Sequence, residues 1–246
     1  MLKENVKHMD RKRYVVVMAA GSGSRMGADK PKQFLELGGK AILHRTIEVF
    51  LDACPDVTVI TVLPDEHVEY WKNYCYARNF ICRQILVKGG ITRFHSVRNA
   101  LEKVPEGALV AIHDGVRPLV SPQLVKGLFD AAQKHCGVIP IVPCIDTMKS
   151  LKKKVWDDGS ETYSLIPGQI VDRSVLYGAQ TPQVFQSEVL KDAYRQAYDI
   201  AFTDDASVVE KYGKSLSYIM GERLNMKITT QEDLVLAEAV LNIRKG

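Results

Sequence analysis

The sequence predicts an α/β domain of three layers, with helices on both faces of a mostly parallel sheet and a β-hairpin arm projecting from it. Three observations carry this. Short apolar runs alternate with longer amphipathic stretches from residue 14 to residue 142, the pattern of strands joined by crossover helices. The first apolar run opens directly into a loop that is both glycine-rich and cationic. Between residues 148 and 173 the alternation breaks, and an Asp-Gly turn sits between β-forming residues.

In chain order, the first strand is expected over 14–20, where Val15-Val16-Val17-Met18-Ala19-Ala20 is continuously apolar, as in a strand buried on both faces. Further strands are expected over 57–63, 83–87, 109–113 and 137–142. Helices are expected over 43–51, 65–79, 92–103 and 122–135. Pro122 suits a first helical turn, with Ser121 as N-cap. The C-terminal part adds helices over 187–200 and 204–212, a strand over 216–220 and a last helix over 231–241. There is no internal repeat and no long linker, so 1–246 reads as one domain with an arm at 148–173. In the arm, Lys154-Val155-Trp156 and Glu161-Thr162-Tyr163-Ser164-Leu165-Ile166 flank Asp157-Asp158-Gly159-Ser160. A lone hairpin is marginal in water. Trp156, Tyr163, Leu165 and Ile166 therefore need a surface, either a second subunit or the arm's own domain, and the second subunit is the expectation.

Composition narrows the function. The chain has 246 residues, 46% hydrophobic and 25% charged, which describes a globular α/β protein. A net charge of +4 suits an anionic small-molecule substrate and is too small to argue for nucleic acid. Lys152-Lys153-Lys154 is a tight basic run, expected as a solvated hairpin face. The five cysteines (Cys54, Cys75, Cys82, Cys136, Cys144) are odd in number and form no Cys-x-x-Cys pair, which argues against a disulfide framework or a zinc site. Cys136 and Cys144 are expected as small core residues. Residues 1–13 are polar and basic with no apolar signal core, and no stretch is long enough to cross a bilayer. A cytoplasmic protein that meets no membrane is the expectation.

The loop after the first strand reads Gly21-Ser22-Gly23-Ser24-Arg25-Met26-Gly27-Ala28-Asp29-Lys30-Pro31-Lys32-Gln33. Glycines let backbone N–H groups approach a ligand closely, and Arg25 and Lys32 add fixed positive charge. No Walker A spacing is present. The dinucleotide fingerprint fails too, because Gly27 comes one residue too late after Gly21 and Gly23. A Gly-Ser-Gly triplet alone would read as a mobile surface loop. With a buried strand before it, Arg25 and Lys32 inside it and Pro31 stiffening its exit, it reads as a polyphosphate cradle. Asp114 ends the apolar run Leu109-Val110-Ala111-Ile112-His113, and an acid there needs a partner, since unpaired burial is costly. A salt bridge to Arg117, a metal ion or a substrate hydroxyl would each serve.

Ala19-Ala20-Gly21-x-Gly23-x-Arg25-Met26 followed by Pro31-Lys32-Gln33 resembles the nucleotide-binding loop of the sugar-phosphate nucleotidyltransferases, whose sheet is Rossmann-like. Within them it is most similar to the 2-C-methyl-D-erythritol 4-phosphate cytidylyltransferases. His113-Asp114-Gly115-Val116-Arg117-Pro118, Asp146-Thr147-Met148-Lys149, Val171-Asp172-Arg173, Gln180-Thr181-Pro182-Gln183, Thr203-Asp204-Asp205-Ala206 and Asn225-Met226-Lys227-Ile228-Thr229 match in the family's order.

The resemblance implies transfer of a nucleotidyl group from CTP to a sugar-alcohol phosphate, with Mg²⁺ or another divalent cation, in isoprenoid precursor synthesis. It implies catalytic roles for Arg25, Lys32 and Lys227. It implies nucleotide binding by Ala19, Ala20, Gly21, Gly23, Gly90 and Ser96. Asp114, Arg117, Thr147, Arg173 and Thr181 match positions for the second substrate, and related enzymes use the Asp114 position for metal. A homodimer clasped through the arm follows, with Thr147 and Arg173 serving the partner's site. Ile91 departs from the family, which often has an acid there. The Asp204-Asp205 pair is explained by capping of the helix that follows. The ribitol 5-phosphate cytidylyltransferases share several of these motifs. Ala19-Ala20-Gly21, Lys149 and Val171-Asp172-Arg173 lean towards methylerythritol phosphate. A non-catalytic nucleotide-binding protein is the reading of another class, and retention of Arg25, Lys32 and Lys227 argues against it.

Overall fold

The computed structural model describes residues 11–21 and 30–245. Arg25 and Gly23 of the predicted loop lie outside the described residues. In chain order the strands are β1 (Arg13–Met18), β2 (Glu36–Leu37), β3 (Lys40–Ala41), β4 (Thr58–Leu63), β5 (Gln84–Lys88), β6 (Leu109–Asp114), β7 (Gly137–Pro143), β8 (Leu151–Val155), β9 (Glu161–Leu165), β10 (Tyr177–Ala179), β11 (Gln183–Gln186) and β12 (Ser217–Met220). The helices are α1 (Ile42–Ala53), α2 (Asp65–Ala77), α3 (Arg93–Leu101), α4 (Pro122–Ala132), α5 (Ser187–Ala193), α6 (Asp205–Lys211) and α7 (Gln231–Lys245).

The main sheet runs β7-β11-β6-β1-β4-β5, with β12 parallel to β7 on its outer side. The β5, β4, β1 and β6 strands are mutually parallel, whereas β11 runs antiparallel to both β6 and β7. β10 pairs antiparallel with the far end of β7. The predicted layered α/β architecture is therefore the one observed. The two reversed strands were not anticipated, because they are short and flank Pro182, which reads as a turn.

The period-two alternation of strand side chains divides the core between the two faces. Val15, Val17, Leu109 and Ala111 point to one side, where α1, α2 and α4 bring Phe50, Trp71 and Phe129. Val16, Val110 and Ile112 point to the other, against Phe94, Leu190 and Val208 of α3, α5 and α6. Each fully buried side chain of this size contributes about 1.5–3 kcal/mol. A third cluster packs α7 through Ala237 onto Leu37, Val116 and Ile228. Ser121 caps α4 as expected, its Oγ accepting from Leu124 N–H at 3.0 Å.

The helix expected over 187–200 ends at Ala193. The Gln196 amide explains the stop, because its Nε2 donates to the carbonyls of Ala193 at 2.9 Å and Val208 at 3.0 Å. It satisfies an end-of-helix acceptor that a further turn would have used. Cys136 and Cys144 are half-buried at the sheet margin, whereas Cys54 is the buried one, and all five cysteines are free thiols.

β8 and β9 form their own antiparallel ladder, Lys153 opposite Tyr163, and every residue of both strands is exposed. Gly159 supplies the positive φ of +80° that the turn demands. The basic run is solvated as expected. Lys153 pairs with Glu161 at 2.5 Å, and the Lys154 ammonium lies 3.4 Å from the Trp156 ring centroid. Trp156, Tyr163 and Leu165 lie open to solvent.

Candidate active site

Parallel strands end on one edge of a sheet, and a ligand meets the loops at that edge. The register places Met18 of β1 beside Asp114 of β6. Beyond them opens a cleft of about 460 Å³. Its walls are the β1 exit (Ala19, Ala20, Gly21), the turn carrying Lys32, the Gly90–Ser96 turn, Asp114 and Lys227.

The Gly90–Ser96 wall is rigid for local reasons. Gly90 N–H donates to Ser96 Oγ at 2.9 Å, and Ser96 Oγ donates to the Thr92 carbonyl at 3.0 Å. Thr92 caps α3 by accepting from His95 N–H at 3.4 Å. A Cβ on residue 90 would fall 2.5 Å from the His95 Cβ, so the turn closes only around glycine.

Asp114 is the electrostatic centre. Its Oδ2 accepts from Arg117 Nε at 3.1 Å and faces Lys227 Nζ at 3.2 Å. Burial by itself raises this carboxyl's pKa. Lys227, Arg93 and Arg117 outweigh burial and hold it below the ordinary carboxylate range. Arg117 also donates to the Asn225 carbonyl at 2.8 Å, and Ile228 N–H donates to the Val116 carbonyl at 2.9 Å. These bonds dock the segment bearing Lys227 against the β6 exit.

Behind Asp114 lies a directional chain. His113 Nε2 sits 3.1 Å from the Arg117 carbonyl, which can only accept, so Nε2 carries the proton. His113 Nδ1 then accepts from the Thr181 hydroxyl at 3.0 Å, and that hydroxyl accepts from Asp114 N–H at 3.1 Å. Burial pushes the His113 pKa down to about 4, so the ring is neutral near pH 7. His113 is structural, as its place inside β6 implies.

Of the expected site residues, Ala19, Ala20, Gly21, Lys32, Gly90, Ser96, Asp114 and Lys227 line this one cleft. Arg117 and Thr181 stand behind Asp114 and brace it. Thr147 and Arg173 are exposed at the two roots of the arm, where Arg173 Nη1 donates to the Ile145 carbonyl at 2.8 Å. Two features were not anticipated. Arg93 lines the cleft and pairs at 2.5 Å with Asp205, which is fully buried and also accepts from the Tyr194 hydroxyl at 2.6 Å. Capping belongs to Asp204, whose Oδ1 accepts from Ser207 N–H at 2.9 Å, so Asp205 has a separate task as the Arg93 counterion. Gln33 is the second, buried in the cleft wall with its Nε2 donating to the Ala19 carbonyl at 2.9 Å. The available signals were an arginine between Gly90 and Ser96, and a second acid directly after a helix cap.

The chain matches the model of the 2-C-methyl-D-erythritol 4-phosphate cytidylyltransferase family over residues 14–243. It belongs to that family. A relative from Phocaeicola vulgatus, named 2-C-methyl-D-erythritol 4-phosphate cytidylyltransferase, is 45% identical over 93% of this chain and 99% of its own length. One of the same name from Bacteroides thetaiotaomicron is 43% identical over 94% of this chain and all of its own. Among solved structures, the 4-diphosphocytidyl-2C-methyl-D-erythritol synthase of Anaerococcus prevotii superposes with a TM-score of 0.75 at 26% identity, covering 95% of this chain and 99% of its own. The 2-C-methyl-D-erythritol 4-phosphate cytidylyltransferase of Thermus thermophilus superposes with a TM-score of 0.72 at 29% identity, covering 94% and 99%. The cleft described above brings Lys32, Arg93 and Lys227 into one lining. Among the described residues no helix is long and apolar enough to cross a membrane.

Proposed function

We propose that this chain transfers CMP from CTP to 2-C-methyl-D-erythritol 4-phosphate, giving 4-diphosphocytidyl-2-C-methyl-D-erythritol and pyrophosphate for isoprenoid precursor synthesis. The observation that carries this reading is the meeting of Lys32 and Lys227, 195 residues apart in sequence (227 − 32), in one cleft of a chain of this family. The acceptor's phosphate oxygen attacks the α-phosphorus in line. A new P–O bond forms as the bond to the bridging oxygen breaks, and pyrophosphate leaves with that electron pair. The acceptor is already an anion, so neither a protein nucleophile nor a general base is needed. Catalysis is positioning and charge neutralisation, supplied by Lys32, Lys227 and, by family resemblance, Arg25. Backbone groups of Ala19, Ala20, Gly21 and the Gly90–Ser96 turn hold the nucleotide. Asp114 receives hydroxyls of the acceptor, Arg117 keeps its carboxylate aimed, and Thr181 holds its backbone N–H.

A divalent cation fits this site only as a companion of the triphosphate. Among the described residues no three His, Cys, Asp or Glu side chains converge into a metal cage, and Asp114 already spends Oδ2 on two cations. Mg²⁺ is normally held by substrate phosphates with one or two carboxylates, and among the described residues lining the cleft the one acid, Asp114, is already engaged by Arg117 and Lys227, so the ion would ride on the triphosphate. When bound, the ion adds further neutralisation of the triphosphate.

The exposed arm supports a homodimer. Leu151, Val155, Trp156 and Leu165 leave a hairpin apolar surface uncovered on this chain, and Thr147 and Arg173 flank it away from their own cleft. In the dimer these two residues reach the partner's acceptor site. The reaction proceeds in the cytoplasm, without nucleic acid or membrane. Pyrophosphate release with CTP, crossed against methylerythritol phosphate and ribitol 5-phosphate, tests the proposal. Release only with ribitol 5-phosphate would overturn the acceptor, and release with neither would overturn the activity.

A further inference from the structure

We infer that Gln33 is a positioning residue for Lys32, acting by tying together the two feet of the glycine-rich loop. The inference rests on the proposed role of Lys32 at the triphosphate. Gln33 is 1% exposed in the cleft wall, and its Nε2 donates to the Ala19 carbonyl at 2.9 Å. A carbonyl oxygen can only accept, so the amide presents its NH₂ end to Ala19. Ala19 follows β1 directly and is itself held, its N–H donating to the Val62 carbonyl at 2.9 Å. The bond therefore spans 14 residues, joining the strand that enters the loop to the turn that leaves it.

That turn is short and has a second anchor. Phe34 N–H donates to the Pro31 carbonyl at 2.9 Å, and Leu35 N–H to the Lys32 carbonyl at 3.1 Å. Phe34 is buried, its ring 4.8 Å from Tyr70 and 5.6 Å from His67. Lys32 opens the turn, so the placement of the turn sets where its side chain starts. Phe34 holds the turn to the core through apolar contact, which is non-directional. The Gln33–Ala19 bond is directional and fixes the turn against β1, whose exit lines the same cleft. A misplacement of about 1 Å of a group acting on a transition state can cost about 100-fold in rate.

The test uses Gln33→Glu, which sets a carboxylate against the Ala19 carbonyl, and Gln33→Met, which keeps the length without a donor. Each is made alone and together with Lys32→Ala. Single-turnover pyrophosphate release at saturating CTP is measured, with the melting temperature of every variant alongside. With Lys32 present, Gln33→Glu should slow the step about 100-fold and Gln33→Met about tenfold. With Lys32→Ala, either change should matter less than about twofold, because a residue that acts through another is non-additive with it. Equal losses on both backgrounds would overturn the inference and make Gln33 ordinary scaffold. A wild-type rate in Gln33→Met would overturn it as well. If Gln33→Glu fails to fold, Gln33→Met carries the comparison alone. Unimpaired turnover in Lys32→Ala would overturn the reading of the site itself, and this inference with it.

Discussion

Replacing Asp114 with asparagine removes one negative charge and almost no volume. The carboxylate Oδ2 faces Arg117 at 3.1 Å and Lys227 at 3.2 Å. At an effective dielectric of about 20, each contact is worth about 5 kcal/mol before desolvation. The Lys227 side chain is 43% exposed, so water screens much of its share. Burying the carboxylate costs several kcal/mol in return. The net loss in Asp114→Asn should be about 2 kcal/mol, which lowers the melting temperature by about 4–8 °C for a chain of this size. The effect on activity has a direction for each ligand. Loss of a charge-assisted bond to an acceptor hydroxyl, about 1.5–3 kcal/mol, should lower kcat/KM for methylerythritol phosphate by about 10–150-fold. CTP should bind as well or better, because an anion beside its phosphates has gone. The Mg²⁺ concentration for half-maximal rate should stay put. Initial rates over a grid of CTP, acceptor and Mg²⁺ measure all three. An unchanged acceptor KM together with a large rise in the Mg²⁺ requirement would refute the reasoning and make Asp114 a metal ligand.

Asp205→Ala leaves the buried Tyr194 hydroxyl without its acceptor and the cleft-lining Arg93, whose side chain is 34% exposed, without its counterion, which should cost about 1–3 kcal/mol of stability by denaturant titration. A change below about 1 kcal/mol would mean the Arg93–Asp205 contact is incidental. The shared-site arrangement predicts complementation: Lys32→Ala and Arg173→Ala chains, each nearly inactive alone, should regain turnover when mixed and allowed to exchange subunits. No recovery, or a monomer in sedimentation at micromolar concentration, would contradict the dimer. His113 predicts a pH dependence. Its native pKa of about 4 lies below the ordinary 6.5, so the unfolded chain takes up a proton that the native ring refuses. Stability held above pH 6.5 should fall by about 3 kcal/mol as pH drops towards 4. His44 is shifted in the same direction, burial being the largest cause, so His113→Gln should flatten this slope in part. An unaltered slope in the variant would contradict the assignment.

The central strands were legible because their signals are local. Val15-Val16-Val17 can hardly be anything but an interior strand, and Gly21 and Lys32, named from the stretch that follows it, line one cleft. Lys227 was recognisable only through its motif, since an exposed lysine has no pattern of its own. What escaped was long-range. Arg93 and Asp205 are 112 residues apart, and nothing near either one announces that the other neutralises it. The β10 and β11 strands are too short for a periodicity to show, and their pairing is decided by the sheet they enter. Thr181 read as a substrate contact because its motif is strong. Within the chain its hydroxyl is bonded to His113 and the Asp114 N–H, a geometry visible only once β6 and β11 lie side by side.

The most direct test of the central claim is a crystal structure of this protein with CTP bound. The account predicts the Lys32 and Lys227 ammonium groups within about 3 Å of triphosphate oxygens, with the α-phosphorus open on the Asp114 side. Ammonium groups turned to solvent while CTP occupies the cleft would contradict it.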